Sequence, residues 1–184
     1  DLSKKKDFEL IWKPILVGGI FNTTNPSVYE ARNNPNPVKE KINYYFEDLK
    51  DWSNFRSIII NHDGFGEGFS PEVFPVNSVK AMRGAFMFLD QGNIKNYVNS
   101  IFYAYWTDGL DISLEENLIK IVKNLDVNPN KFLNFIQQQD TKDRLKDNTQ
   151  ELIDRGGFGS PTFFLNENKM YFGQDRITLI ERQL

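Results

Sequence analysis

The stretch "RGGFGSPTFFLNENKMYFGQDR", Arg155 to Arg176, constrains the fold more than any other part of the chain. A helical run stops at two glycines, and Ser160-Pro161 then opens a strand, "PTFFL". A turn, "NEN", leads to a second strand, "KMYF", and Gly-Gln-Asp starts another helix from Asp175. A proline has no N–H for a ladder, so it is confined to an edge or a strand start, and Pro161 stands at a start. A second reading is a cis Ser160-Pro161 bond, which X-Pro permits at modest cost and which marks tight turns. The N–H and C=O of Ser160 would then face outward, open to an extended peptide-like ligand pairing as an added strand. Asp175 also has two readings. It caps the helix that follows, or it offers a carboxylate to an amine beside helix N–H groups that could hold a carboxylate, together the head of an amino acid.

Upstream, "DFELIWKPIL", Asp7 to Leu16, reads as a buried strand with Pro14 near its end, and "GGIFNTTNPS" reads as a loop rich in turn formers. A helix is expected from about Pro37, with Asn36 as its cap. Residues 57–75 read as a loop. From Asn77 the pattern is helical. Val79, Met82, Phe86 and Leu89 share one face before Gly92, and a second stripe runs from Ile94 to Tyr105. Ser113 with Glu116 has capping-box spacing, Asn128-Pro129 opens a further helix, and the last helix closes at Gly156 and Gly157.

The order strand, long helical section, strand, strand, helix is the C-terminal part of a thioredoxin-like α/β fold with a large all-helical insertion. Residues 1–35 and 155–184 are expected to form the thioredoxin-like domain and 36–154 the insertion. That fold needs a first strand and helix before Asp7. A crossover of this kind takes about a dozen residues, more than precede Asp7, so both elements are expected to be missing from this chain. The first residue is Asp1, so either the native N-terminus was processed or the chain lacks its start.

Composition narrows the chemistry. The 184 residues are 40% hydrophobic and 14% aromatic, enough for a sizeable core, and they carry 22 basic against 25 acidic side chains. A net charge of -3 gives no basic footprint for nucleic acid, and no apolar run approaches the roughly 20 residues of a bilayer span. With no cysteine and one histidine, His62, there is no thiolate or disulfide, and a histidine metal site or serine–histidine triad has little to draw on. His62, isolated in a Gly-rich segment, reads as a surface residue. No metal is expected.

The blocks "WKPILVGGIFNTTNP", "KINYYFEDLKDW", "FPVNSVKAMR", "YWTDGLDIS", "GGFGSPTFFLNENKMYFGQDR" and "LIERQL" occur in order along almost the whole chain. Together they resemble the 2-hydroxychromene-2-carboxylate isomerase family, kin of kappa-class glutathione transferases with a DsbA-like thioredoxin fold. The resemblance implies glutathione as cofactor, its thiolate adding reversibly to a conjugated carbon of an aromatic-derived substrate. It also implies a cytoplasmic homodimer in aromatic catabolism. By position it assigns Ser160, before the cis-proline Pro161, to the cysteinyl part of glutathione. Phe172, Gly173, Gln174 and Asp175 are assigned to the γ-glutamyl head. Asn25 and Lys41 match positions near the tripeptide, and Asn77 matches one at the substrate pocket. Residue readings stay open beside these: Asn25 in a turn, Lys41 on a solvated helix face, Asn77 as a cap.

Three departures accompany the resemblance. The family's thiol-activating serine would lie upstream of Asp1, so no catalytic residue is assigned within the chain. Asn22 stands where the family has a lysine that could hold a substrate carboxylate. Residues 57–73 are longer and richer in glycine than the family norm. A kappa-like transferase and a non-catalytic thiol-peptide binding module are the alternatives. A disulfide oxidoreductase is the weakest rival, because its cysteines would also lie upstream.

Overall fold

A computed structural model of the chain describes residues 7–32, 36, 38–60, 73–166 and 169–184. His62, Pro37 and most of the Gly-rich segment lie outside the described residues. Contacts divide the chain into two compact units, Asp1–Glu30 with Asp143–Leu184, and Ala31–Lys142.

The first unit contains helix α1 (Val17–Thr24), most of α8 (Gln139–Asp154), strands β1 (Thr162–Leu165) and β2 (Lys169–Phe172), a 3₁₀ turn (Gln174–Arg176) and α9 (Ile177–Glu181). Helix α8 therefore clusters mainly with the terminal segments, whereas the sequence reading put residues 36–154 together. Among the described residues the sheet is a two-stranded antiparallel hairpin, pairing Thr162 with Phe172 and Leu165 with Lys169.

Two expectations for the N-terminal segment are corrected. Residues 7–16 form no strand. Pro14 has no N–H to donate, and its carbonyl accepts from Asn148 Nδ2 at 3.1 Å, while the Leu16 N–H donates to Thr149 Oγ1 at 2.9 Å. Side chains of α8 thus occupy main-chain groups that a ladder would need. Lys13 pairs with Glu151, which also pairs with Arg155 at 3.2 Å. The hydrogen bond from Lys13, more than any other contact, holds the Glu151 carboxyl below its ordinary range.

The second correction is α1 itself. "VGGIFNTT" carries two glycines and β-branched residues, a poor helix former by propensity. Burial overrides propensity: Ile20 is fully buried, and the Thr23 and Thr24 hydroxyls donate back to the Gly19 and Ile20 carbonyls at 3.1 and 3.0 Å.

The second unit contains α3 (Lys39–Arg56), α4 (Val79–Asp90), α5 (Ile94–Trp106), α6 (Glu115–Lys123) and α7 (Pro129–Gln137), while the six-residue α2 (Ser27–Arg32) spans the boundary between the units. Helix α3 starts at Lys39 behind Val38, two residues beyond the expected cap Asn36. Helices α4 to α7 pack around Phe88, Tyr97, Leu118, Val122, Phe132 and Ile136, each buried. Phe88 stacks on Tyr97 at 4.4 Å, and the Tyr97 hydroxyl donates to the Ala81 carbonyl at 2.8 Å. Burial pushes that phenol far above its ordinary pKa, so it stays a donor.

Some helix ends follow local chemistry. Asn128 Oδ1 accepts the Lys131 N–H at 3.1 Å ahead of Pro129, as expected. The Ser113/Glu116 capping box does not form. Leu114 is the N-cap, and the Ser113 N–H donates to Asp111 Oδ1 at 2.8 Å. Helices α4 and α8 end through Gly92 and Gly156, each with positive φ. Helices α3 and α6 end the same way through Ser57 and Asp126. At all four ends the next residue's N–H donates five residues back, as in Asn93 to Phe88 and Gly157 to Leu152.

Gly84 marks a close helix contact. A Cβ there would lie 2.6 Å from two ring carbons of Phe132 and against the Tyr97 hydroxyl, which Ala81 holds in place. Alanine would improve helix propensity by about 1 kcal/mol, but overpacking costs about 1–3 kcal/mol. With both rings buried, the steric cost should win. Gly84→Ala should therefore lower the unfolding free energy by up to about 2 kcal/mol in urea denaturation. A stability equal to or above the parent's would contradict this packing.

Candidate functional site

The edge carrying the expected site residues is built by the exit from α8 and the hairpin that follows. After the Gly156 turn, the Arg155 guanidinium lies 3.6 Å from the centroid of the Phe164 ring, tying the helix end to β1. The Ser160-Pro161 bond is cis, in agreement with the expectation; Phe74-Pro75, in the other unit, is cis as well. The Thr162 hydroxyl donates to the Gly159 carbonyl at 2.7 Å across this turn. The rings of Phe158 and Phe172 stand 4.6 Å apart. Gly159 is buried against the second ring, where a Cβ would come within 2.8 Å of a Phe172 ring carbon.

The antiparallel register then brings the two ends of the stretch together. With Thr162 opposite Phe172, the Gly173 N–H donates to the Pro161 carbonyl at 3.0 Å. Gly173 has φ 102 and ψ 147, a backbone region that side-chain-bearing residues rarely adopt. A Cβ at Gly173 would also lie 2.7 Å from Asp175 Oδ1. One carboxylate oxygen of Asp175 therefore sits directly over Gly173, while the other pairs with the neighbouring Arg176. Both side chains of that pair are about half exposed. Ser160, Pro161, Phe172, Gln174 and Asp175 are all exposed. Among the described residues, no hydrogen bond engages the main-chain N–H or C=O of Ser160.

The remaining expected residues are disposed differently. Asn22 is exposed on α1. Asn25 follows α1, where its N–H donates to Phe21 O at 3.2 Å and its Oδ1 accepts from the Ser27 hydroxyl at 2.7 Å, the turn role. Lys41 and Asn77 belong to the other unit. Lys41 is exposed in the first turn of α3, and Asn77 Oδ1 accepts the Val79 N–H at 3.2 Å, relieving an orphan donor of α4. Phe158, Gly159 and Thr162 were not singled out from sequence.

The arrangement is an open peptide edge with a carboxylate beside it. Its exposed donor and acceptor suit a main chain, and its carboxylate suits an amine. Among the described residues no His, Asp and Glu cluster could hold a metal ion, and no helix is long and apolar enough to cross a membrane.

Comparisons with known proteins agree with this architecture. The chain is 29% identical over 143 residues to 2-hydroxychromene-2-carboxylate isomerase of Pseudomonas sp. (strain C18), covering 77% of this chain and 61% of that protein. It is 28% identical over 146 residues to the Pseudomonas putida protein of the same name, covering 78% and 66%. The chain thus spans somewhat under two thirds of the length of these relatives. A solved structure of selenomethionine 2-hydroxychromene-2-carboxylate isomerase superposes with a TM-score of 0.75 at 23% identity, over 99% of this chain and 82% of that one. The sequence profile of the DSBA-like thioredoxin domain matches residues 1–184, in keeping with the hairpin, the cis-proline and the large helical section, and the chain belongs to that family.

Proposed function

We propose that the protein is a glutathione-dependent isomerase of an aromatic-derived substrate resembling 2-hydroxychromene-2-carboxylate, acting as a cytoplasmic homodimer. The observation that carries the reading is the Gly173 N–H to Pro161 O hydrogen bond at 3.0 Å. It joins the exposed main chain of Ser160 to the carboxylate of Asp175 on one edge. Such an edge suits a short peptide whose head bears a free amine, which is the chemistry of a γ-glutamyl tripeptide.

The donor set fits that ligand. Ser160 offers an unengaged N–H and C=O to the cysteinyl main chain, and Asp175 offers a carboxylate to the ammonium. Phe172, Gly173 and Gln174 line the path between them. Arg176 already pairs with Asp175, so an incoming ammonium must share or displace that contact. By the resemblance, Asn25 is assigned to the remainder of the tripeptide and Asn22 to the substrate. When bound, glutathione supplies a thiolate nucleophile able to add reversibly to a conjugated carbon. The name shared by the two Pseudomonas relatives supports the substrate class.

Asp175→Ala should weaken glutathione binding by about 1.5–3 kcal/mol, the scale of a hydrogen bond to a charged group, toward the lower end because the carboxylate is half exposed. Unchanged affinity by calorimetry would remove Asp175 from the site. Product analysis then separates isomerisation from transfer. The total of free glutathione should stay constant over many turnovers, and stoichiometric loss of it into a conjugate would establish the kappa-like transferase reading instead.

A further inference from the structure

The direction of the Ser160 N–H is set by the peptide that precedes it. The Gly159–Ser160 peptide is not among the cis bonds of the described residues, so its C=O and N–H point in opposite directions. The C=O end is held, because the Thr162 hydroxyl donates to Gly159 O at 2.7 Å. One side of the same segment is pinned by Phe172, whose ring carbons would lie 2.8 and 3.2 Å from a Gly159 Cβ, and Phe172 in turn packs against Phe158. The N–H end has no partner among the described residues, and Ser160 is exposed. The first position of a half-buried strand would suit valine as well as threonine, so strand formation does not require the hydroxyl.

We propose that Thr162 is a positioning residue. By fixing the Gly159 carbonyl inward, its hydroxyl fixes the plane of the 159–160 peptide and so aims the Ser160 N–H at the main-chain carbonyl of the bound thiol peptide. The proposal deepens the glutathione reading and rests on it for the identity of the ligand. Without the hydroxyl, the Gly159 carbonyl loses the hydrogen bond that fixes its direction, and the peptide plane is held less tightly. The N–H then meets the ligand in the right direction only part of the time, and the Gly159 carbonyl turns toward water.

Thr162→Val keeps the side-chain shape and removes the hydroxyl, while Thr162→Ser keeps the hydroxyl. Three readouts test the proposal on the full protein. Thr162→Val should bind glutathione about tenfold more weakly, the worth of one hydrogen bond, and Thr162→Ser within about twofold of the parent. An alkene isostere of glutathione that lacks the cysteinyl carbonyl should bind the parent and Thr162→Val equally. Without ligand, the Ser160 amide resonance should move in Thr162→Val and stay in place in Thr162→Ser.

Equal binding of glutathione by the parent and Thr162→Val overturns the proposal. So does a Thr162→Val loss of the same size on the isostere, which would mark a general structural defect. Should the parent bind no glutathione, the ligand reading fails. The ligand-free Ser160 resonance then still decides whether Thr162 sets the peptide plane, and an unmoved resonance in Thr162→Val overturns that too.

Discussion

The hydrogen bond from the Gly173 N–H to the Pro161 carbonyl is the contact on which the candidate site depends. It lies just beyond the Thr162–Phe172 pair at the open end of the hairpin, where residues a dozen positions apart become neighbours. On one side of it the chain turns back through Ser160 with its main chain exposed. On the other, Gly173 takes a backbone conformation that brings the Asp175 carboxylate over its own Cα. Neither half is a ligand site alone: an exposed turn is common, and so is an acidic residue at the start of a helical turn. Their juxtaposition is less common, and it follows from strand register, which binds the two halves to the same shift.

The hairpin was legible in the sequence because its signals are local. Ser-Pro ahead of an apolar run, a polar turn, and a glycine before Gln-Asp each act within a few residues. Gly92 and Gly156 announced their helix ends for the same reason, since glycine enters the left-handed region at no steric cost. Ser57 and Asp126 end their helices with the same geometry and gave no such signal, because residues with a side chain enter that region only occasionally. Helix α1 is the clearest miss. Its glycines and threonines argue for a loop, and only the burial of Ile20 and the contact of Leu16 with Thr149 on α8, more than a hundred residues later, make it helical. At the end of the Asp7–Leu16 segment, the Pro14 carbonyl and the Leu16 N–H are likewise engaged by side chains of α8.

The candidate site divides along the same line. Ser160, Pro161, Phe172, Gly173, Gln174 and Asp175 share one hairpin edge, so a single quoted stretch carried them. Asn25 and Asn77 have structural employment of their own, in a turn and at a helix start. Thr162 stayed hidden because a strand threonine looks the same in sequence whether its hydroxyl faces solvent or a carbonyl in the preceding turn. The two Pseudomonas relatives both bear the name of one isomerase.

The most direct measurement is a titration of the isotope-labelled protein with reduced glutathione, followed through its backbone amide resonances. The account predicts saturable shifts of the Ser160, Gly173 and Asp175 amides that share one binding curve, because both halves of the edge meet one ligand. Saturable binding that leaves these three resonances unmoved, or that moves Ser160 and Asp175 with separate curves, would contradict it.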